Sequence, residues 1–480
     1  MAKKPLDNST QSRRWLFPLI LSLGLFVLAA RPIVDPDLWW HLKTGELTLQ
    51  NHAVFHADPF SFTRAGQPWI NHEWLSDVLM FSVYRFAGWG GLIVVFAALI
   101  SATYFLAFRR SSGRSYIAVV CTVWAAFASR PVWDARPQIF SLILASAFLT
   151  LHDMSARRPR MLWWTVPLML LWVNLHAGYA SGIALLFLFF LGDIADLLLG
   201  FARDMQQSRL GSLLVAIVAC IAVVPLNPYG LKMYAYPLAT LRSAGMQNHI
   251  AEWFSPDFHK PEYLPLVLLM LALLAALALS KKRLRPGELI LLASGTIAAL
   301  ISARHVALYA LIAGPLLSKL LDRGLPPSRQ SAPTRGATLI NVSVLLLFAG
   351  FVILHIHGVI KRQPEVEAGH FPSRATDFLA HNPVPGPIFN HYDWGGYLIW
   401  RLYPNHPVFI DGRADVYGDD LMTDFANASS LKKDWRPVLN RWKIRTILLP
   451  PDSPLITALK TQGQWQEIYA DPQAVILTGP

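Results

Sequence analysis

About eleven apolar runs, each close to the ~20 residues that a helix needs to cross a hydrocarbon layer, constrain this chain more than any other feature. They start near Trp15, Trp89, Tyr116, Gln138, Leu162, Gly182, Leu213, Leu264, Leu289, Val306 and Thr338. Lipid offers backbone amides no partner, so runs of this kind predict helices that satisfy their own hydrogen bonds. The expected fold class is a multi-pass α-helical membrane protein with about eleven transmembrane helices, one more or fewer. Composition agrees: 54% of residues are hydrophobic and 15% charged, a balance that excludes an ordinary soluble core. The leading MAKKPLDNSTQSRR runs into the first apolar stretch with no small-residue cleavage pattern, which reads as an uncleaved first span. Cys121 and Cys220 both fall inside apolar runs, so no disulfide framework is implied.

The loops between the runs sort by charge. Lys3, Lys4, Arg13 and Arg14 precede the first run; Arg109, Arg110 and Arg114 follow the second; Arg157, Arg158 and Arg160 follow the fourth. Arg203 and Arg209, then Lys281, Lys282, Arg283 and Arg285, then Lys319, Arg323, Arg329 and Arg335 continue the pattern at every second loop. Basic loops stay in the cytoplasm, so the N-terminus is expected there. An odd number of spans then places everything beyond about Gly358 outside. The net charge of +12 is therefore a topology signal rather than a footprint for nucleic acid.

The opposite loops carry the unusual residues. The longest, Arg31–Trp74, holds Asp35, Asp37, Glu46, Asp58 and Glu73 among four tryptophans and four histidines. Ionisable groups mixed with aromatic ones beside lipid suit the handling of a polar molecule at the membrane surface. Pro225–Tyr263 contains LNPYG and HIAEWFSPDF and is expected to lie along the interface as partial helix. Beyond Arg362 the composition becomes that of a water-soluble unit. GPIFN, HPVFIDG, IRTILLPP and QAVILTGP read as short strands; Ser373–His381, Trp394–Tyr403 and Pro454–Gln462 read as helices. The chain thus divides into a membrane part, 1–360, and a small C-terminal α/β extracytoplasmic domain, 361–480.

Asp35-Pro36-Asp37 opens a helix-like stretch that runs to about Gln50. Pro suits a first helical turn, which makes Asp35 an N-cap and places Asp37 within the positive end of the helix dipole. Helical spacing sets Trp40 and His41 on the same side as Asp37, a setting in which a carboxylate can accept a proton from a hydroxyl. The plainer reading makes both Asp residues helix-start charges. Asn71-His72-Glu73-Trp74 closes the segment, and Glu73 either bonds an acceptor, holds a histidine or stabilises a helix start. The Asp-x-Asp spacing and the nearby histidines leave a divalent metal open, although no metal ligand is assigned.

On these residues VDPDLWWHLKTGEL resembles the loop opening of the GT-C superfamily of integral-membrane glycosyltransferases, in its protein mannosyltransferase and aminoarabinose transferase branches. GQPWINHEWLSDVL occupies the place of that family's Lys-Pro-Pro segment, which is absent here. The resemblance covers residues 1–360 and implies an enzyme of a bacterial inner membrane. It would move a hexosyl or pentosyl group from a polyprenyl-phosphate carrier to a glycan, lipid or protein acceptor on the extracytoplasmic side. By position Asp37 matches the family's catalytic carboxylate, with Asp35 the alternative, and Trp40, His41, His72 and Glu73 would touch substrate. A departing phosphate needs cations, and Arg130, Arg136, Lys232, Arg242, Arg304 and His305 are the candidates, with His176 either contacting donor or acceptor or serving as a hydrogen-bonded helix-end histidine. Arg304 could equally pair with Asp134 or Glu252. In the tail, NHYDWGGYLIWR resembles the Trp-Trp-Asp-Tyr-Gly motif of oligosaccharyltransferase catalytic subunits, so Asp393, Asp411 and Arg413 would recognise the acceptor or the tail would serve as a lid. A glycine turn followed by an Asp cap would explain the same residues.

Two other classes compete. A transporter or flippase of lipid-linked sugar predicts ionisable groups deep within the spans, whereas the candidates here, such as Asp193, Asp196, His355 and His357, fall near run ends. A non-catalytic membrane scaffold predicts that the tail carries the function and that Asp37 is dispensable.

Overall fold

The computed structural model describes residues 8–201, 207–280, 283–323, 335–432 and 434–480. All eleven apolar runs are helical. Among the described residues, seven helices are long and apolar enough to cross a membrane: Trp74–Arg110, Ser115–Val132, Gln138–Ser155, Tyr179–Leu198, Pro261–Leu279, Ala303–Arg323 and Ile340–His370. Phe17–Ala29, Ser208–Ala222 and Pro286–Ile301 are apolar but shorter. The run near Leu162 is split into a 3-10 turn, Pro159–Trp164, and a helix of 11 residues, Thr165–Leu175. Of the basic residues in the charge pattern, Lys3, Lys4, Arg203, Lys281, Lys282 and Arg329 lie outside the described residues.

Trp74–Arg110 has 37 residues, more than one crossing needs, and breaks at Gly88, whose φ of 57° favours glycine. The segment ahead of the break carries Asp77 and packs on the helix Leu38–Asn51 that follows Asp37. The two approach so closely that a Cβ on Gly45 would fall 2.1 Å from the Asp77 carbonyl oxygen. That contact sets His41 against Asp77. The helix starts two residues later than its proline suggests: Asp35 Oδ1 accepts from the Asp37 amide at 2.8 Å, and Asp37 takes the N-cap place without capping with its side chain. Its carboxylate is turned elsewhere.

The tail forms a four-stranded sheet, β1 (Ile388–Asn390), β2 (Thr446–Leu449), β3 (Gln466–Ala470) and β4 (Val475–Thr478), in the order β1-β2-β4-β3. β1 and β2 are parallel and the other pairs antiparallel. Helices Ser373–His381 and Pro454–Gln462 fall where the pattern puts them. HPVFIDG is not a strand of this sheet; Val408 makes only single bridges, to Ile388 and to Ser61 of the first polar segment. Phe62 N donates to Val408 O, and Val408 N to Phe60 O, each at 3.1 Å. Consequently one apolar core contains both Trp39, Trp40, Phe60 and Trp69 from the first segment and Phe389, Tyr397, Phe409 and Tyr417 from the tail. The helices keep a separate, larger core. A Cβ on Gly396 would fall 2.5 Å from Pro36 O, so this glycine of the tail permits close seating on the Asp35–Asp37 turn.

Candidate active site

Arg136, carried on the short link between helices Ser115–Ser129 and Gln138–Ser155, gathers three carboxylates. It pairs with Asp35, with Asp37 Oδ2 at 3.1 Å and with Glu252 Oε1 at 2.7 Å. Glu252 also holds Arg304 at 3.0 Å, and that guanidinium lies 4.8 Å from the centre of the Trp253 ring. Of the two partners open to Arg304 in the sequence, the structure therefore places Glu252 beside it. Burial disfavours charge on these acids, and one arginine does not offset all three. Burial pushes Asp35 up to about 7 despite Arg136, and raises Asp37 for the same reason. Burial works the same way on Glu252, yet Arg136 and Arg304 together hold it below the ordinary carboxylate range.

A second cluster surrounds Glu73. His72 Nε2 and His176 Nε2 each lie 3.4 Å from Glu73 Oε1, and His41 Nε2 lies 3.8 Å from Oε2. His41 Nδ1 meets Asp77 Oδ1 at 2.6 Å, and Asn71 donates to the other Asp77 oxygen at 2.8 Å. Hydrogen bonds fix the protonation of His176. Trp172 Nε1 donates to Ser141 Oγ at 2.7 Å, which leaves the Ser141 hydroxyl to donate to His176 Nδ1, also at 2.7 Å. The Gly178 amide donates to that same nitrogen at 2.9 Å. Nδ1 is thus an acceptor, and Nε2 carries the proton toward Glu73. Burial accordingly pushes His176 down to about 3. For His72 burial acts the same way, but Glu73 outweighs it and raises the pKa; Glu73 is in turn driven down by its histidines against its own burial. The result is a Glu73 carboxylate held in its ionised form, with His72 biased toward its charged form and His176 toward its neutral one.

The two clusters share one cavity of about 550 Å³. Asp37, Trp40, His41, His72, Glu73, Arg136, His176, Arg304, His305 and Arg413 all line it. Leu185, Leu188, Leu241, Leu291, Leu308 and Ile312 supply an apolar wall. Three residues expected at the site are elsewhere. Asp35 is buried behind Arg136 and lines a second pocket of about 120 Å³. Asp411 is fully buried against Arg413, and Asp393 is exposed in a turn, off the cavity wall. Conversely, the cavity includes Asn71, Tyr236, Gly412 and Asp415, which the sequence did not single out as site residues. Tyr236 donates to Asp415 at 3.2 Å, and its ring centre lies 4.4 Å from that of His72. The aromatic content of Pro225–Tyr263 was the available signal for Tyr236; Asp415 stands two residues beyond Arg413 in DGRAD. Among the described residues no three His, Cys, Asp or Glu side chains are placed to hold a metal ion.

Helices of membrane length joined to a helix-bearing first polar segment, with a small mixed sheet seated against it, make a fold that this chain shares with solved structures of other proteins. Solved structures similar to it include ArnT from Cupriavidus metallidurans in the apo state, at 15% identity and a TM-score of 0.52, covering 99% of this chain and 100% of that one. The same ArnT bound to undecaprenyl phosphate matches at 14% identity and a TM-score of 0.50, covering 97% and 99%. The archaeal oligosaccharyltransferase AglB from Archaeoglobus fulgidus, in complex with an inhibitory peptide and a dolichol-phosphate, matches at 13% and 0.51, covering 91% and 69%. Identities this low show likeness of fold alone. No protein-family model and no curated protein matches the chain.

Proposed function

We propose that this chain is a glycosyltransferase that moves a hexosyl or pentosyl group from a polyprenyl-phosphate carrier to an acceptor nucleophile. The observation that carries the reading is the shared cavity, in which the Asp37 carboxylate, Arg136 and Arg304 meet a leucine-lined wall. An amphiphilic donor needs that combination: an apolar surface for the isoprenoid and cations for the phosphate. The acceptor hydroxyl attacks the anomeric carbon from the face opposite the phosphate, and Asp37 takes its proton as the new bond forms. The sugar–phosphate C–O bond breaks in the same displacement, its electron pair passes to the phosphate, and the anomeric centre inverts. Arg136 and Arg304 face the charge that develops. Burial raises the proton affinity of Asp37, which strengthens it as a base, while Arg136 favours its ionised form.

The alternation of basic loops supports an extracytoplasmic site, a cytoplasmic N-terminus and about eleven crossings, while residence in a bacterial inner membrane rests on the family resemblance of the first polar segment. On this reading 361–480 is a domain that closes over 31–74 and helps to receive the acceptor, whether glycan, lipid or protein. Undecaprenyl phosphate bound to ArnT and dolichol-phosphate bound to AglB support the choice of carrier. The test is transfer by the purified full chain from a panel of polyprenyl-phosphate sugars, wild type beside Asp37→Asn. Transfer by the wild type and a loss of ~10³-fold or more in the variant is expected. Equal rates remove Asp37 from the chemistry, and movement of labelled lipid across the bilayer without transfer to any acceptor overturns the reading.

A further inference from the structure

The tail touches the proposed base through one turn, Asp411-Gly412-Arg413. Gly412 lies so near Asp37 that a Cβ there would fall 1.6 Å from Asp37 Oδ1. What holds this turn in place is Arg413, whose side chain is 1% exposed. Its Nε and Nη2 donate to the two oxygens of Asp411 at 2.8 and 2.7 Å, and its Nη1 donates to Asp58 Oδ1 at 2.8 Å. The rings of Phe60 and Trp69 lie 4.9 and 4.7 Å from its guanidinium carbon. Asp58 is fixed from its own side, accepting from the amides of Phe60 and Ser61 at 3.1 Å each. Tyr417 donates to Asp411 Oδ2 at 2.5 Å.

The acceptor-binding role implied for Arg413 by the sequence requires a free fork. Here each of its three nitrogens donates to an Asp, two bonds going to its own turn and one to the first polar segment. Buried pairs of this kind add little net stability, but a planar fork between two rings fixes register and orientation. The first segment and the tail meet at this residue, 355 positions apart in sequence from Asp58, and the turn it fixes is the one that lies against Asp37.

We infer that Arg413 is a positioning residue, locking the Gly412 backbone against the Asp37 carboxylate so that the tail completes the reactive geometry. This rests on the role proposed for Asp37. The test compares kcat and KM of Gly412→Ala and Arg413→Lys with Asp37→Asn, in full-length protein reconstituted with a polyprenyl-phosphate sugar that the wild type uses. Misplacement of a reacting group by about 1 Å costs on the order of 10²-fold. Gly412→Ala should therefore lose ~100-fold in kcat and Arg413→Lys ~10-fold, with KM for donor and acceptor within about twofold. Wild-type kcat in both, with Asp37→Asn inactive, overturns the positioning role and leaves the proposed function standing; an active Asp37→Asn brings down that function itself. A raised acceptor KM at unchanged kcat in Arg413→Lys makes it a binding residue and also overturns the inference. If either variant does not fold, Arg64→Ala decides. That side chain, 25% exposed, donates its Nε to Tyr417 O at 3.0 Å at the rim of the same assembly. Its kcat should fall about threefold or more at constant KM, and an unchanged kcat refutes the inference.

Discussion

Replacing Arg136 with Gln tests the electrostatics of the site most severely, because one guanidinium serves Asp35, Asp37 and Glu252. Removing one partner of a buried ion pair costs about 3–5 kcal/mol, since the other charge is left unpaired. Glu252 keeps Arg304, but Asp35, at 1% side-chain exposure, has no other cation in contact among the described residues. It can escape by binding a proton, because burial has already pushed it up to about 7. The loss of stability should therefore lie near the lower figure, about 3 kcal/mol, at pH 6 and grow by pH 9, where holding that proton is costly. Asp37 loses its nearest cation too, so its proton affinity rises further and less of it is ionised at a given pH. The acid limb of kcat/KM must move to higher pH, and transfer at pH 7 should fall ~100-fold or more from the combined loss of base and phosphate contact. Thermal unfolding in detergent at pH 6 and 9, with transfer rates across the same range, reads both effects. A destabilisation that shrinks with pH, or an acid limb that stays in place, refutes the reasoning.

In the wild type the folded Asp35 holds its proton to about 7 against an ordinary 3.8, so the acid costs the fold nothing below pH 4 and progressively more as pH rises to 7. Asp35→Asn should remove up to about 4 kcal/mol of that decline, seen as a flatter profile of unfolding temperature against pH; an unchanged slope contradicts the assignment. Gly396→Ala drives a Cβ to 2.5 Å from Pro36 O and should cost about 1–3 kcal/mol while disturbing the turn that carries Asp37. An unfolding temperature and a transfer rate both equal to wild type would falsify that contact. Ser141→Ala leaves the Trp172 N–H without its acceptor and takes one donor from His176 Nδ1, at about 1–3 kcal/mol. Stability equal to the wild type would show that water or another group replaces the hydroxyl.

The helices were legible because hydropathy over a long run reports the solvent around it, and each such run is helical. Four runs give helices shorter than a full crossing, the run near Leu162 the shortest: Pro159 and the aromatic residues after it fold as a 3-10 turn, leaving a helix of 11 residues. Asp37, Trp40 and His41 were legible as a unit because one helix start sets their spacing. What the sequence could not carry were contacts made at a distance. Gln363 Oε1 accepts from the Ile33 amide at 2.7 Å, 330 residues away, and Val408 pairs with Ser61 rather than completing a strand of the tail sheet. Gly412 and Asp415 reach the cavity only because the first polar segment and the tail share a core, and nothing in DGRAD alone announces that. Asp35 and Asp37 differ by two residues in sequence yet face different pockets, a separation set by the turn between them.

The account stands or falls on Asp37 acting as a base toward the acceptor rather than as a nucleophile toward the sugar. The measurement that distinguishes these is the anomeric configuration of the transferred residue, read by NMR from product made by the full-length protein with a donor of known configuration. A single displacement assisted by Asp37 gives the opposite configuration from the donor. Retention would require a covalent sugar–carboxylate intermediate and two displacements, and would contradict the mechanism.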